Sequence, residues 1–197
     1  YHNAGRNFSV KILCVTGSRS DYDLLEPVLR EIENHPAMEL FLFASCAHLS
    51  HTLGDTISRI AGFKNILQRP SLLDWDTPAA RLKSMSLEMI SIAQDLENLQ
   101  PDLVVILGDR EDSIIAATAA VYSWIPVAHI FGGDSGYSTV DDSVRHAVSK
   151  LAHIHFTASS KSRDNLIAMG ECATRVHFCG NPALDRIRST PVWAKKR

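Results

Sequence analysis

Leu103-Val104-Val105-Ile106-Leu107-Gly108-Asp109-Arg110-Glu111-Asp112 decides how the chain is read. Five consecutive apolar residues closed by a glycine and then by charge describe a strand covered on both faces that opens into a polar turn. A helical stretch follows and the figure repeats. Ile125-Pro126-Val127-Ala128-His129-Ile130-Phe131 is a second apolar run, closed by Gly132-Gly133-Asp134 and followed by Asp141-Asp142-Ser143-Val144-Arg145-His146. Two strands thus deliver carboxylates, arginines and histidines to one edge of a sheet.

Working outward, Val10-Lys11-Ile12-Leu13-Cys14-Val15-Thr16 predicts a strand that breaks at Gly17-Ser18-Arg19-Ser20-Asp21. Residues 22–33 carry Leu25, Val28, Leu29 and Ile32 at helical spacing, with Pro27 assigned to the first turn, where N–H groups have no partner in any case. Residues 40–44 form a strand leading to Cys46-Ala47-His48. A short helix is expected at about 52–60, a strand at 65–68 and a long helix at 79–99, its apolar face supplied by Leu82, Met85, Leu87, Met89, Ile92 and Leu96. Past the central stretch come a helix at 142–151, a strand at 154–158, a helix at 160–169, a strand at 175–179, and a short helix containing Leu184 and Ile187. Apolar strands alternating with helices indicate an α/β doubly wound parallel sheet, Rossmann-like in class. Residues 1–9 read as a frayed polar end, 10–188 as one domain, and 189–197 as the start of an interdomain hinge or a tail.

The bulk properties narrow the function. A length of 197 residues with 45% hydrophobic and 21% charged residues allows a real core. A net charge of −2 argues against a nucleic-acid or membrane-surface binder. No apolar run approaches the roughly 20 residues of a membrane span, and a cytoplasmic location is expected. Cys14, Cys46, Cys172 and Cys179 lack metal-ligand spacing. Cys14 and Cys179 fall in strands and are expected as buried, reduced thiols.

Ligands of such sheets bind at the C-terminal edge of the strands, where the polar clusters fall. Gly17-Ser18-Arg19-Ser20-Asp21 is neither a G-x-G-x-x-G nor a Walker loop, which removes the main support for nicotinamide or ATP. It still offers helix-start N–H groups and an arginine suited to phosphate, or else Ser18 or Ser20 simply caps the helix. Asp109 is a proton-transfer group or a cap. Asp134 is an acid of the site or a plain turn residue. Asp141 and Asp142 either join the site or supply the acidic first turn of a helix. Three acidic clusters at one edge, near His129 and His146, fit proton transfer better than three separate caps. His153, His155 and His177 read as structural, since a third metal ligand at suitable spacing is missing.

In this order the clusters resemble the hydrolysing UDP-N-acetylglucosamine 2-epimerases of sialic-acid-type sugar biosynthesis. The likeness is carried by Arg19-Ser20-Asp21-Tyr22, Ala47-His48-Leu49, Gly108-Asp109-Arg110, His129-Ile130-Phe131-Gly132-Gly133-Asp134, Asp141 through Leu151, Met169-Gly170-Glu171, Arg175-Val176 and Gly180-Asn181-Pro182-Ala183-Leu184-Asp185. The resemblance implies the N-terminal half of a GT-B fold, with the substrate between two Rossmann-like halves. It implies a base that takes the sugar C2 proton while UDP leaves C1, giving 2-acetamidoglucal, and water that then adds to give N-acetylmannosamine, with no metal or redox cofactor. By motif, Asp109 and Asp141 match catalytic carboxylates, and Asp134 stands where relatives often have Glu. Arg19 and Arg110 match groups near the phosphates and His48 one near the substrate; Asp21, Arg145 and His146 fall in the same substrate-side motifs. Phe131 departs from the pattern, since many relatives carry Glu or His there.

UDP-N-acetylglucosamine and UDP are the expected ligands and a homo-oligomer the expected assembly. A second domain of comparable size is implied, so the chain is expected to be an N-terminal domain with little or no turnover alone. Half of a GT-B glycosyltransferase and a non-catalytic nucleotide-sugar-binding module are the competing readings.

Overall fold

The computed structural model describes residues 9–50, 56–73, 77–136 and 140–189. The frayed end predicted at 1–9 and the hinge or tail at 189–197 thus fall almost wholly outside the described residues, as does the start of the helix placed at 52–60. Seven parallel strands form one sheet in the order β3-β2-β1-β4-β5-β6-β7. They are β1 Val10–Thr16, β2 Met38–Ala44, β3 Ile66–Gln68, β4 Leu103–Leu107, β5 Val127–Ile130, β6 Ile154–Thr157 and β7 Val176–Phe178. The helices are α1 Arg19–Asn34, α2 Ile57–Ile60, α3 Pro78–Leu99, α4 Glu111–Tyr122, α5 Asp141–Leu151, α6 Ser160–Ala168 and α7 Ala183–Ser189. This is the doubly wound, Rossmann-like arrangement. The strand order reverses between β1 and β4, and the crevice beyond their C-terminal ends is where such folds hold ligands.

Alternation along the strands builds a core on each face of the sheet. Ile12, Cys14, Leu40, Leu42, Val105, Leu107, Ala128 and Ile130 pack against Leu25, Leu29 and Ile32 of α1. Leu13, Val15, Phe43, Val104, Ile106 and Val127 pack against Ile92 and Leu96 of α3 and the alanine-rich α4. Both faces of the inner strands are covered, which is why their sequences show no polar alternation.

Three local expectations change. α1 begins at Arg19 rather than residue 22, because Ser18 caps it by accepting from the Asp21 N–H. Pro27 therefore lies inside the helix, where it cannot bond the Asp23 carbonyl four residues back. That carbonyl accepts instead from Arg186 Nη1 at 3.4 Å, and Arg186 also pairs with Asp23 Oδ1 at 2.9 Å. The helix defect thus becomes an attachment point for α7. Second, α3 buries Ala80, Ser84, Glu88, Ile92, Asp95 and Leu96, whereas Leu82 and Leu87 face solvent. The polar members are tolerated because each has partners; Ser84 Oγ, for example, bonds both Ala80 O and the Leu73 N–H. Third, Cys179 lies just beyond β7, the edge strand, and is exposed rather than buried; all four thiols are free.

Candidate active site

The turn after β4 is set from beneath by a histidine. Buried His129 on β5 lies 2.8 Å from Gly108 O through Nε2 and 3.1 Å from Ser149 Oγ through Nδ1. A carbonyl can only accept, so Nε2 carries the proton and Nδ1 accepts from the serine. Burial pushes the His129 pKa down to about 4, and the ring stays neutral and structural. The unfolded chain binds a proton near the ordinary histidine value and the folded chain does not, so this contribution to stability is lost as pH falls from about 6.5 toward about 4. Urea unfolding of His129→Gln and the parent at pH 7 and pH 5 should show the parent losing about 2 kcal/mol more on acidification. Equal losses would exclude a neutral buried His129.

Gly108 has φ +78° with open space around it, so its role is conformational. Asp109 follows and does not cap α4: Arg110 occupies the cap position. Asp109 pairs instead with Arg145 of α5, both side chains being mostly buried. Arg145 also donates from Nη1 to Phe131 O at 3.1 Å. Phe131 holds φ +66°, a strained conformation for a bulky L-residue. Its backbone carbonyl, rather than its side chain, serves the cluster. Asp141 opens α5 one helical turn before Arg145, on the same side of the helix. Arg145 Nε and His146 Nδ1 are buried without a hydrogen-bond partner among the described residues.

A second group gathers at the β1–α1 turn. Ser18 Oγ donates to Asp21 Oδ2 at 2.6 Å, and Arg110 Nε donates to Asp21 Oδ1 at 3.2 Å. Arg110 thus bridges the turns after β1 and β4, across the point where strand order reverses. Arg19 starts α1 and is exposed. His48 is fully buried beside this turn, its Nε2 3.0 Å from Thr16 Oγ1 and its Nδ1 2.8 Å from Thr56 Oγ1; burial lowers its pKa. Asp134 is engaged by Ser162 Oγ at the start of α6, and Asn165 Nδ2 donates to Gly133 O at 2.9 Å. Asp109, Arg145 and the Phe131 carbonyl therefore come together, as do Asp21, Arg110, Ser18 and Ser20, while exposed Asp141 shares only the Arg145 side of α5 and Asp134 turns toward α6.

Two acids not singled out in the sequence lie under this edge. Asp112 is buried and its pKa is pushed up to about 8, chiefly by burial and then by the negative charges of Asp21 and Glu88. Glu88 accepts from Ser45 Oγ at 2.9 Å and from Cys46 Sγ at 3.0 Å, and burial raises its pKa as well. The sequence signal for Asp112 is its position in the first turn of α4. Glu88 has none, because Ser45 and Cys46, which donate to it, lie more than forty residues away. Farther off, buried His155 lies 3.3 Å from Glu171, which also holds Lys150. Among the described residues no group of three His, Cys, Asp or Glu could hold a metal, and no helix is long and apolar enough to cross a membrane.

A family model described as UDP-N-acetylglucosamine 2-epimerase matches residues 30–197. The chain is 36% identical over 190 residues to a UDP-N-acetylglucosamine 2-epimerase of Neisseria meningitidis serogroup B, covering 92% of the chain and 48% of that protein. It is 36% identical over 179 residues to a hydrolyzing UDP-N,N'-diacetylbacillosamine 2-epimerase of Legionella pneumophila, covering 90% and 47%. The crystal structure of a Neisseria meningitidis UDP-GlcNAc 2-epimerase bound to UDP-GlcNAc superposes with a TM-score of 0.79 at 23% identity, covering 91% of the chain and 49% of that structure. The chain spans about half the length of the curated relatives it matches.

Proposed function

The chain belongs to the UDP-N-acetylglucosamine 2-epimerase family, and from that premise we propose that it supplies one wall of the active site of a hydrolysing epimerase acting on UDP-N-acetylglucosamine. The observation that carries this reading is the Asp109–Arg145 pair, with Asp141 one helical turn away, beside the Asp21–Arg110 turn where the strand order reverses.

The chemistry needs a base near the sugar C2 and cationic or N–H groups near the diphosphate. A carboxylate takes the C2 proton. The C–H electron pair forms the C1=C2 bond, and the C1–O bond breaks with its electrons leaving on UDP. Water then adds, oxygen to C1 and hydrogen to C2 from the opposite face, so that 2-acetamidoglucal becomes N-acetylmannosamine. Asp109 is assigned as a catalytic carboxylate, oriented by Arg145 as Phe131 O orients Arg145. Asp141 is assigned as the second proton-transfer group and Asp134 as an acid of the connection from β5 to α5. The start of α1 with Arg19, together with Arg110 held by Asp21, takes the diphosphate. His48, Arg145 and His146 complete the substrate side. This assignment routes no step through a metal or a redox cofactor.

The test is incubation of the full-length enzyme that contains this wall with UDP-N-acetylglucosamine in deuterated water. Free UDP and N-acetylmannosamine carrying deuterium at C2 are expected. UDP-N-acetylmannosamine without free sugar would point to a non-hydrolysing epimerase. Sugar transfer to an acceptor without C2 exchange would point to a glycosyltransferase half.

A further inference from the structure

We propose that Asp112 is a positioning residue for anion binding at the β1–α1 turn, and that its ionisation weakens the hold of that turn on a diphosphate. The proposal rests on the nucleotide-sugar reading above and adds a residue and a pH dependence to it.

The geometry is the starting point. A Cβ on Gly17 would meet Asp112 Cγ at 2.9 Å and both carboxyl oxygens at 3.0 Å. The carboxyl therefore fills the space a side chain at Gly17 would take, directly beneath the start of α1. Asp112 belongs to α4, so one side chain touches both turns at which the strand order reverses. It faces Asp21 of α1, Glu88 of α3, Cys46 after β2, and Arg110 at the start of its own helix. Only Arg110 is a cation, and its guanidinium is already shared with Asp21. A first-turn position ordinarily favours the charged carboxylate. Here burial among two further carboxyls outweighs that preference, and the pKa of about 8 leaves Asp112 neutral at pH 7.

A neutral Asp112 leaves the positive end of α1 and Arg110 to set the field at the turn. An ionised Asp112 adds a negative charge beneath the same N–H groups, in surroundings too dry to screen it. Asparagine has the same shape and stays neutral. Burial holds His48 below its usual range and Cys46 above its own, so neither titrates between pH 7 and 9.5.

The test uses the full-length enzyme that contains this chain and its Asp112→Asn variant, with UDP as the probe. In ¹H–¹⁵N spectra the Gly17 and Ser18 amides of the parent should share a transition near pH 8, absent from the variant. UDP affinity of the parent should fall roughly five- to tenfold from pH 7 to 9.5 and that of the variant less than about twofold. Absence of the amide transition, or an equal loss of affinity in the variant, overturns the role of Asp112. Glu88→Gln keeps the proposal open to refutation should the asparagine variant fail to fold, since removing one facing carboxylate must lower the midpoint. An amide transition without UDP binding at either pH overturns the nucleotide-sugar reading instead, which separates the two failures.

Discussion

Under the proposed chemistry, Asp109→Asn in the full-length enzyme is expected to lower kcat for UDP release and N-acetylmannosamine formation by about 10²- to 10⁴-fold, the range lost with a positioned proton-transfer group. Asparagine matches aspartate in size and keeps an oxygen that accepts from Arg145, so the turn after Gly108 should hold its shape. What is lost is the charge that can take a proton and the counter-ion of a mostly buried guanidinium. The second loss should cost about 1–3 kcal/mol of folding stability, read by urea unfolding. The kinetic loss is far larger than such a change can produce in a protein that remains folded. A variant with kcat within about threefold of the parent would remove Asp109 from the chemistry and leave it as a partner of Arg145.

The second large effect is structural. Gly133→Ala should destabilise the domain by about 3 kcal/mol or more, from two separate costs. Gly133 has φ +78°, where a Cβ is strained by about 1–2 kcal/mol. The new Cβ would also collide with the Ser162 carbonyl oxygen and lie 2.8 Å from Leu166 Cγ. The nearest obstacle is backbone, so α6 must shift. That shift would break the Asn165–Gly133 hydrogen bond and the contact between Ser162 and Asp134. Gly108→Ala is the control, since its φ is also +78° but open space surrounds it. It should show the backbone cost alone, and the difference between the two variants in urea unfolding isolates the close approach of α6. Equal destabilisation would mean that α6 yields freely.

Much of the fold is legible in the chain. The strands are continuous apolar runs because helices cover both faces, and a polar turn closes each inner one. Those turns lie at the C-terminal edge because successive parallel strands all point the same way. The site motifs are legible for the same reason: Gly17 to Asp21, Gly108 to Arg110 and Gly132 to Asp134 each follow a strand. The helix surfaces are less legible. Leu82 and Leu87 compete with Ser84 and Glu88 for the buried side of α3, and the polar pair wins because Ser45, Cys46 and Leu73 meet it. Hydrophobicity alone ranks those residues the wrong way round.

Local sequence thus settles which segments are strands, which turns are polar and which edge of the sheet those turns share, since these depend on periodicity and on residues near one another in the chain. Tertiary structure decides the state and partner of each polar group. Asp109 pairs with Arg145 rather than capping its own helix, His129 is a neutral strut beneath Gly108, Arg110 joins two turns, and Asp112 is held neutral beneath Gly17. Each of these rests on distance and burial between residues from 21 to 95 positions apart. Solvation and charge act through space, and only the folded chain defines that space.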